Sequence, residues 1–147
     1  MYKNILIPTD GSALSRKAAM NGVKLAKSVG AMVTGFYAAP PATPIEYRGI
    51  LPVDYVPPEE HARLIEKVVA KYLGFIEKTA KAAGVECKTV HVTSDFPADA
   101  IVAAAQRQKC DLIFIASHGR RGLTGLLLGS QTQKVLAHSK VPVLIDR

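Results

Sequence analysis

The architecture of this chain is decided by one stretch, Asp111–Thr132, with the sequence DLIFIASHGRRGLTGLLLGSQT. It begins with a continuous apolar run at 112–116, which predicts a strand buried on both faces, as in a parallel sheet. Glycines follow in a loop, and Ser130 is predicted to cap a helix that runs to about His138. This combination favours phosphate binding, because free N–H groups and the dipole at a helix N-terminus attract an anion. The alternative is an ordinary surface loop whose glycines only make turns.

Length and composition predict a single domain that spans residues 1–147 and lies in the cytoplasm. Apolar residues make up 48% of the chain, and no apolar run approaches the roughly 20 residues of a membrane span. The N-terminus does not resemble a secretory signal, and Cys87 and Cys110 form no metal motif, which favours a reduced compartment. The formal charge of +7 is spread mainly along predicted helices without interleaved aromatic residues, so nucleic-acid binding is not expected.

Apolar periodicity predicts five strands that alternate with four helices. The strands are Ile5–Ile7, Met32–Ala38, Val85–Val92, Leu112–Ala116 and Val141–Ile145. The third of them contains charged residues and is expected near an edge of the sheet. The first two helices end at Gly30 and Gly84, and Ser94 or Asp95 caps the third. Between the second strand and the second helix, Ala39–Pro58 holds six of the nine prolines and is predicted to be a long loop.

Strands that alternate with helices predict an α/β fold with an open, doubly wound, five-stranded parallel sheet in the order 3-2-1-4-5. In such a sheet the order reverses between strands 1 and 4, and ligands bind at the carboxyl ends of the strands there. Asp10 follows strand 1, and His118 and Gly119 follow strand 4, so both loops belong to this switch point. Asp10 either contacts a ligand or caps the first helix. Arg120 and Arg121 either reach phosphate or form a solvated pair.

Three motifs resemble those of the universal stress protein family: PTDGS at 8–12, SHGRRGLTGLLLGS at 117–130 and KVPVLI at 140–145. The resemblance covers essentially the whole chain. It implies a Rossmann-like fold of the adenine nucleotide alpha hydrolase type, with five parallel strands in the order 3-2-1-4-5. It also implies a stress-response protein, which in this family is usually a dimer.

Members of this family that bind ATP carry the pattern G-x2-G-x9-G-[S/T]. This chain matches the pattern at Gly119, Gly129 and Ser130, but Ala116 replaces the first glycine. An added methyl group is tolerated where the backbone φ is negative and space is available. The resemblance therefore implies ATP as the ligand. From its own chemistry, the hydroxyl of Ser130 either reaches a phosphate-bound Mg²⁺ or serves only as a helix N-cap. The implied nucleotide-binding residues are Pro8, Thr9, Asp10, Ala38, Ile115, Ala116, Gly119, Gly129, Ser130, Gln131 and Thr132.

Two functions from different classes stay open at this point. The first is a dimeric, ATP-binding regulator of a stress response, and the second is a dimeric interaction module in which Ala116 blocks the pocket. Enzyme activity is undecided, and hydrolysis is expected to be slow at most, because no P-loop lysine of the GxxxxGK[ST] form is present. The dimer is expected to pair through the edge strand Val141–Ile145 of two copies, while the protein partner stays unidentified.

Overall fold

The computed structural model describes residues 1–42, 55–120 and 127–147, which form a parallel sheet covered by helices on both faces. The strands are Asn4–Pro8 (β1), Met32–Ala39 (β2), Cys87–Thr93 (β3), Leu112–Ala116 (β4) and Val143–Asp146 (β5). The helices are Ala13–Val29 (α1), Pro58–Ala83 (α2), Pro97–Arg107 (α3) and Ser130–His138 (α4). The strand order is β3-β2-β1-β4-β5 and each neighbouring pair is parallel, which confirms the predicted topology.

The core consists of two layers, one on each face of the sheet. Because side chains alternate along a strand, Ile5 and Ile7 pack with α1 and α2, whereas Leu6 packs with α3 and α4. All five residues of β4 are buried, which confirms that the apolar run at 112–116 is covered on both faces. Each fully buried aliphatic side chain contributes about 1.5–3 kcal/mol, so the central strands β1 and β4 anchor both layers.

The predicted ends of the first two helices are confirmed. Gly30 and Gly84 follow α1 and α2, and each has a φ of 72°, in the left-handed region that favours glycine. The predicted cap of the third helix is wrong, because Phe96 occupies the N-cap position of α3. Ser94 Oγ instead accepts the N–H of Phe96 at 3.0 Å in the preceding turn, and Asp95 supplies no cap.

The two edge strands begin later than predicted, for local reasons. Val85 donates its N–H to the carbonyl of Ala80 at 2.9 Å and so closes α2 before β3 begins. Val141 exchanges two hydrogen bonds with Ser139 Oγ, at 2.7 and 3.2 Å, and β5 begins only after Pro142. The predicted edge position of β3 is confirmed. Most of the predicted loop 39–58 lies outside the described residues, although Ala39 itself ends β2.

Candidate functional site

The loops that follow β1 and β4 meet at the switch point, and Asp10 joins them. Its Oδ1 accepts the N–H of Ser12 at 3.0 Å, and its Oδ2 accepts the N–H of Arg120. The carbonyl oxygen of Asp10 also accepts a hydrogen bond from Arg120 Nε at 3.4 Å. The cap of α1 is Ser12, whose Oγ accepts the N–H of Ser15 at 3.2 Å, so the alternative that Asp10 caps this helix is wrong.

The carboxyl group of Asp10 is ionised at neutral pH. Burial raises its pKa, but hydrogen bonds from Ser12, and then from the Arg120 N–H, outweigh the burial, so the pKa lies below the ordinary value of 3.8. A carboxylate oxygen has two lone-pair directions, so each oxygen can accept a further hydrogen bond from a hydroxyl group of a ligand. An anionic acceptor is therefore fixed at the carboxyl end of β1.

Two glycines allow the loop after β4 to pass close to neighbouring atoms. A Cβ on Gly119 would lie 2.5 Å from Asp10 Oδ2, and a Cβ on Gly129 would lie 3.2 Å from His118 Cα and 3.7 Å from Gly119 N. Neither glycine has a positive φ, so both positions require space rather than a left-handed backbone. Gly119 thus lies between the Asp10 carboxylate and Gly129, the residue that precedes α4.

The N-terminus of α4 has no side-chain cap. Gly129 is the N-cap, not the predicted Ser130: its N–H donates to Ser117 O at 2.7 Å, its backbone is extended, and its carbonyl accepts the N–H of Gln133 at 3.0 Å. Within the described residues, the N–H groups of 130–132 have no hydrogen-bond acceptor. The first turn also contains no acidic residue, so this helix end keeps its positive potential.

The side chains at the start of α4 differ in what they offer a ligand. Thr132 Oγ1 donates to the buried carbonyl of Ala116 at 2.9 Å, and Gln131 Oε1 accepts the N–H of Ala98 at 3.2 Å. Gln131 therefore caps α3, and both residues present mainly their backbone N–H groups. Ser130 is exposed, and its hydroxyl has no hydrogen-bond partner in the part of the chain that the structure describes.

The remaining predicted residues lie at the carboxyl ends of the three central strands. Pro8 ends β1 and is followed by Thr9, Ala38 precedes the last residue of β2, and Ile115 and Ala116 end β4. Ile115 and Ala38 pack with the core layer of α3 and α4. Ala116 belongs to the other layer, with α1 and α2. The structure therefore brings the whole predicted set to the carboxyl ends of the central strands, with side chains on both faces of the sheet.

The sequence did not reveal that Tyr72 of α2 contacts the loops at the carboxyl ends of these strands. Arg120 Nη2 donates to the hydroxyl of Tyr72 at 2.9 Å, and the guanidinium lies 5.8 Å from the centroid of that ring. Tyr37 meets the same ring edge-on at 5.2 Å. Arg120 is therefore anchored on an aromatic ring, whereas Arg121 lies outside the described residues. The spacing of apolar residues predicts which side of α2 is buried, but it does not predict which loop that helix contacts.

Other chemistry is limited in the described part of the chain. Across residues 1–42, 55–120 and 127–147, no group of three or more His, Cys, Asp or Glu side chains could hold a metal ion. Burial raises the pKa of the Cys87 and Cys110 thiols, and neither cysteine forms a disulfide. No helix within the same ranges combines the length and the apolar character needed to cross a bilayer.

Comparison with known proteins gives similarity over nearly the whole chain. A model of the universal stress protein family matches residues 1–147. Universal stress protein MJ0531 from Methanocaldococcus jannaschii is 32% identical over 99% of this chain and 82% of its own length. The solved structure of MJ0577 from the same organism covers 99% of this chain and 95% of its own, with 28% identity and a TM-score of 0.71. A solved universal stress protein in complex with cAMP covers 99% and 97%, with 26% identity and a TM-score of 0.69.

Proposed function

We propose that this chain, which belongs to the universal stress protein family, binds an adenine nucleotide, ATP with Mg²⁺, at the switch point between β1 and β4. The observation that carries the proposal is the N-terminus of α4. Within the described residues its first N–H groups have no acceptor, no side chain caps it, and its first turn contains no acidic residue. Such a helix end is suited to phosphate. The solved relative that contains cAMP supports an adenine nucleotide as the ligand class.

In this proposal the phosphates bind the N–H groups of 130–132, and the exposed hydroxyl of Ser130 contacts the phosphate-bound Mg²⁺. Asp10 accepts a hydrogen bond from the ribose or the adenine edge, which its ionised state supports. Gly119 lies against both groups, since a Cβ on Gly119 would meet Asp10 Oδ2 at 2.5 Å and a Cβ on Gly129 would lie 3.7 Å from Gly119 N. This proximity supports one ligand that contacts Asp10 with its sugar and the start of α4 with its phosphates. Pro8, Thr9, Ala38, Ile115 and Ala116 border the base and the sugar.

The position of Ala116 favours this function over a module that binds no nucleotide. Ala116 is only 6% exposed and packs in the core layer of α1 and α2. Its carbonyl, by contrast, binds Thr132 at the start of α4. A methyl group that packs in the opposite layer from α4 leaves the helix end open, which supports a pocket that tolerates alanine here.

Calorimetric titration with ATP and Mg²⁺ tests the proposal on the natural chain and on Gly129→Val. A Cβ at 129 already lies 3.2 Å from the backbone of His118, and valine adds two further methyl groups, so we expect this variant to give no measurable binding. Gly74→Val is the matched control, since a Cβ at Gly74 would meet no described atom within 4 Å apart from its own helix backbone, and we expect it to keep the natural affinity. Ala116→Gly is expected to bind equally well or more tightly.

Two results would contradict the proposal: an absence of binding heat from the natural chain, or an unchanged affinity in Gly129→Val. Circular dichroism of each variant confirms that the fold is retained. A simpler observation comes from the purified protein itself, because the chain contains no tryptophan and only five tyrosines. Ultraviolet absorbance from a co-purified adenine ring would stand out against this weak background, and mass spectrometry would identify the nucleotide.

We further propose that two copies pair through β5 and that the dimer acts in the cytoplasm as a regulator of a protein partner in a stress response. β5 is an edge strand, and Leu144 in its centre is 38% exposed. An edge strand offers unpaired N–H and C=O groups, and antiparallel pairing of two copies about a two-fold axis is self-complementary. Pro142 lacks an N–H but precedes the strand, so it leaves the pairing residues intact.

A further inference from the structure

A cleft of about 570 Å³ lies beside the candidate nucleotide site, on the face of the sheet that α1 and α2 cover. Its walls come from the N-terminal part of α1, the middle of α2 and the start of the loop after β4. It shares only Thr9 and Gly119 with the residues predicted to bind nucleotide. Its volume falls in the range of about 300–1,000 Å³ that is typical of small-molecule pockets.

Three cationic side chains from three different elements line this cleft: Arg16 of α1, Lys71 of α2 and Arg120 of the loop. Among the described residues no acidic side chain lines it, and the nearest carboxylate, that of Asp10, is already bound to the backbone N–H groups of Ser12 and Arg120. Within the described residues, Arg16 and Lys71 have no hydrogen bond or ion pair through their side chains, and the Nη1 group of Arg120 has no acceptor. Like charges gathered around one cavity repel one another, and an anion inside the cavity would offset that repulsion.

The other part of the cleft is apolar and aromatic. Tyr72, Phe75 and Leu14 line it, and Leu14 is 39% exposed although its spacing is that of the buried stripe of α1. Tyr72 is held in place on two sides, by the 2.9 Å hydrogen bond from Arg120 and by the edge of Tyr37 at 5.2 Å. A fixed aromatic wall next to a cationic rim suits a ligand with one flat apolar part and one negative group.

We propose that this cleft is a second binding site, separate from the nucleotide site, and that it takes a small aromatic anion such as an aryl phosphate or an aromatic carboxylate. The anionic group lies among Arg16, Lys71 and Arg120, and the ring packs against Tyr72 and Phe75. The site therefore requires both parts of the ligand at once.

Nuclear magnetic resonance of the ¹⁵N-labelled chain without nucleotide tests the proposal, with phenyl phosphate as the probe. We expect saturable shifts of the Gly11, Ser12 and Tyr72 amides, and binding at least about tenfold weaker for inorganic phosphate or benzyl alcohol, each of which supplies one part only. The double variant Arg16→Gln/Lys71→Gln should also bind phenyl phosphate about tenfold more weakly. The matched control Lys24→Gln/Lys67→Gln removes two exposed charges from the same helices outside the cleft and should bind within about twofold of the natural chain.

Four results would overturn the proposal: shifts that do not saturate, shifts centred on α4 instead of the cleft, equal affinity for inorganic phosphate, or an equal loss in both double variants. Because no nucleotide is present, these results bear on the cleft alone. Failure of ATP binding in the calorimetric experiment would leave the phenyl phosphate result unchanged, and the reverse also holds.

Discussion

Because Asp10 accepts hydrogen bonds from two loops, we expect Asp10→Asn to destabilise the fold even in the absence of a ligand. Asparagine replaces one carboxylate oxygen with an NH₂ group, which then faces a donor, the N–H of either Ser12 or Arg120. At least one hydrogen bond is lost and its donor is left partly buried, which costs about 1–3 kcal/mol. For a domain of this size each kcal/mol lowers Tm by about 2–4 °C, so we expect a decrease of about 2–12 °C.

The loss should depend on pH with a defined sign. Because the pKa of Asp10 is lowered in the folded chain, its charge contributes full stability above the unfolded value near 3.8 and loses this contribution as pH falls through the folded value. A protonated carboxyl also carries a donor on one oxygen, as asparagine does. The free energies of unfolding of the natural chain and Asp10→Asn should therefore converge in acid and separate as pH rises.

Urea unfolding followed by circular dichroism, repeated across the acidic range, measures both effects. The matched control is Asp95→Asn, which removes the same charge from an exposed side chain that makes no hydrogen bond within the described residues. We expect this control to stay within about 0.5 kcal/mol of the natural chain. Equal stability of the two variants would refute the role of Asp10 in joining the loops. A gap that does not change with pH would refute the electrostatic part of the reasoning.

Three further outcomes are expected. Gly11→Ala should lose about 1–2 kcal/mol in thermal unfolding from its φ of 79° alone, and more because its Cβ would lie 2.2 Å from the Tyr72 ring. Gly119→Ala should displace the carboxylate of Asp10, whose Oδ2 would lie 2.5 Å from the new Cβ, and so raise the pKa of that group in a carbon-13 titration. Leu144→Lys should shift the proposed dimer towards monomer in sedimentation equilibrium, because a lysine on an edge strand opposes pairing between copies.

The strands and their order could be predicted from the sequence, because each strand and the ends of α1 and α2 are marked by residues in or next to the element itself. The buried run 112–116 and the glycines after α1 and α2 each act within a few residues of their own position. The caps of α3 and α4 were not predictable in this way. Gln131, from another helix, satisfies the N–H of Ala98, and a tertiary hydrogen bond to Ser117 O fixes Gly129 as the cap of α4. The contact between Arg120 and Tyr72 likewise joins residues 48 positions apart.

The three positions of the glycine pattern are not equivalent, and the structure gives the reason. At Gly119 and Gly129 an added Cβ would meet a carboxylate oxygen or backbone atoms, which cannot move away without changing the loop. At Ala116 the methyl group is already accommodated, since strand alternation directs it into the layer of α1 and α2. The sequence pattern treats its three glycine positions as equally necessary, whereas the packing shows that a side chain is accommodated at 116 but not at 119 or 129. In the proposed site, the affinity for nucleotide should therefore fall on substitution at 119 and 129, and should be equal or higher when glycine replaces alanine at 116.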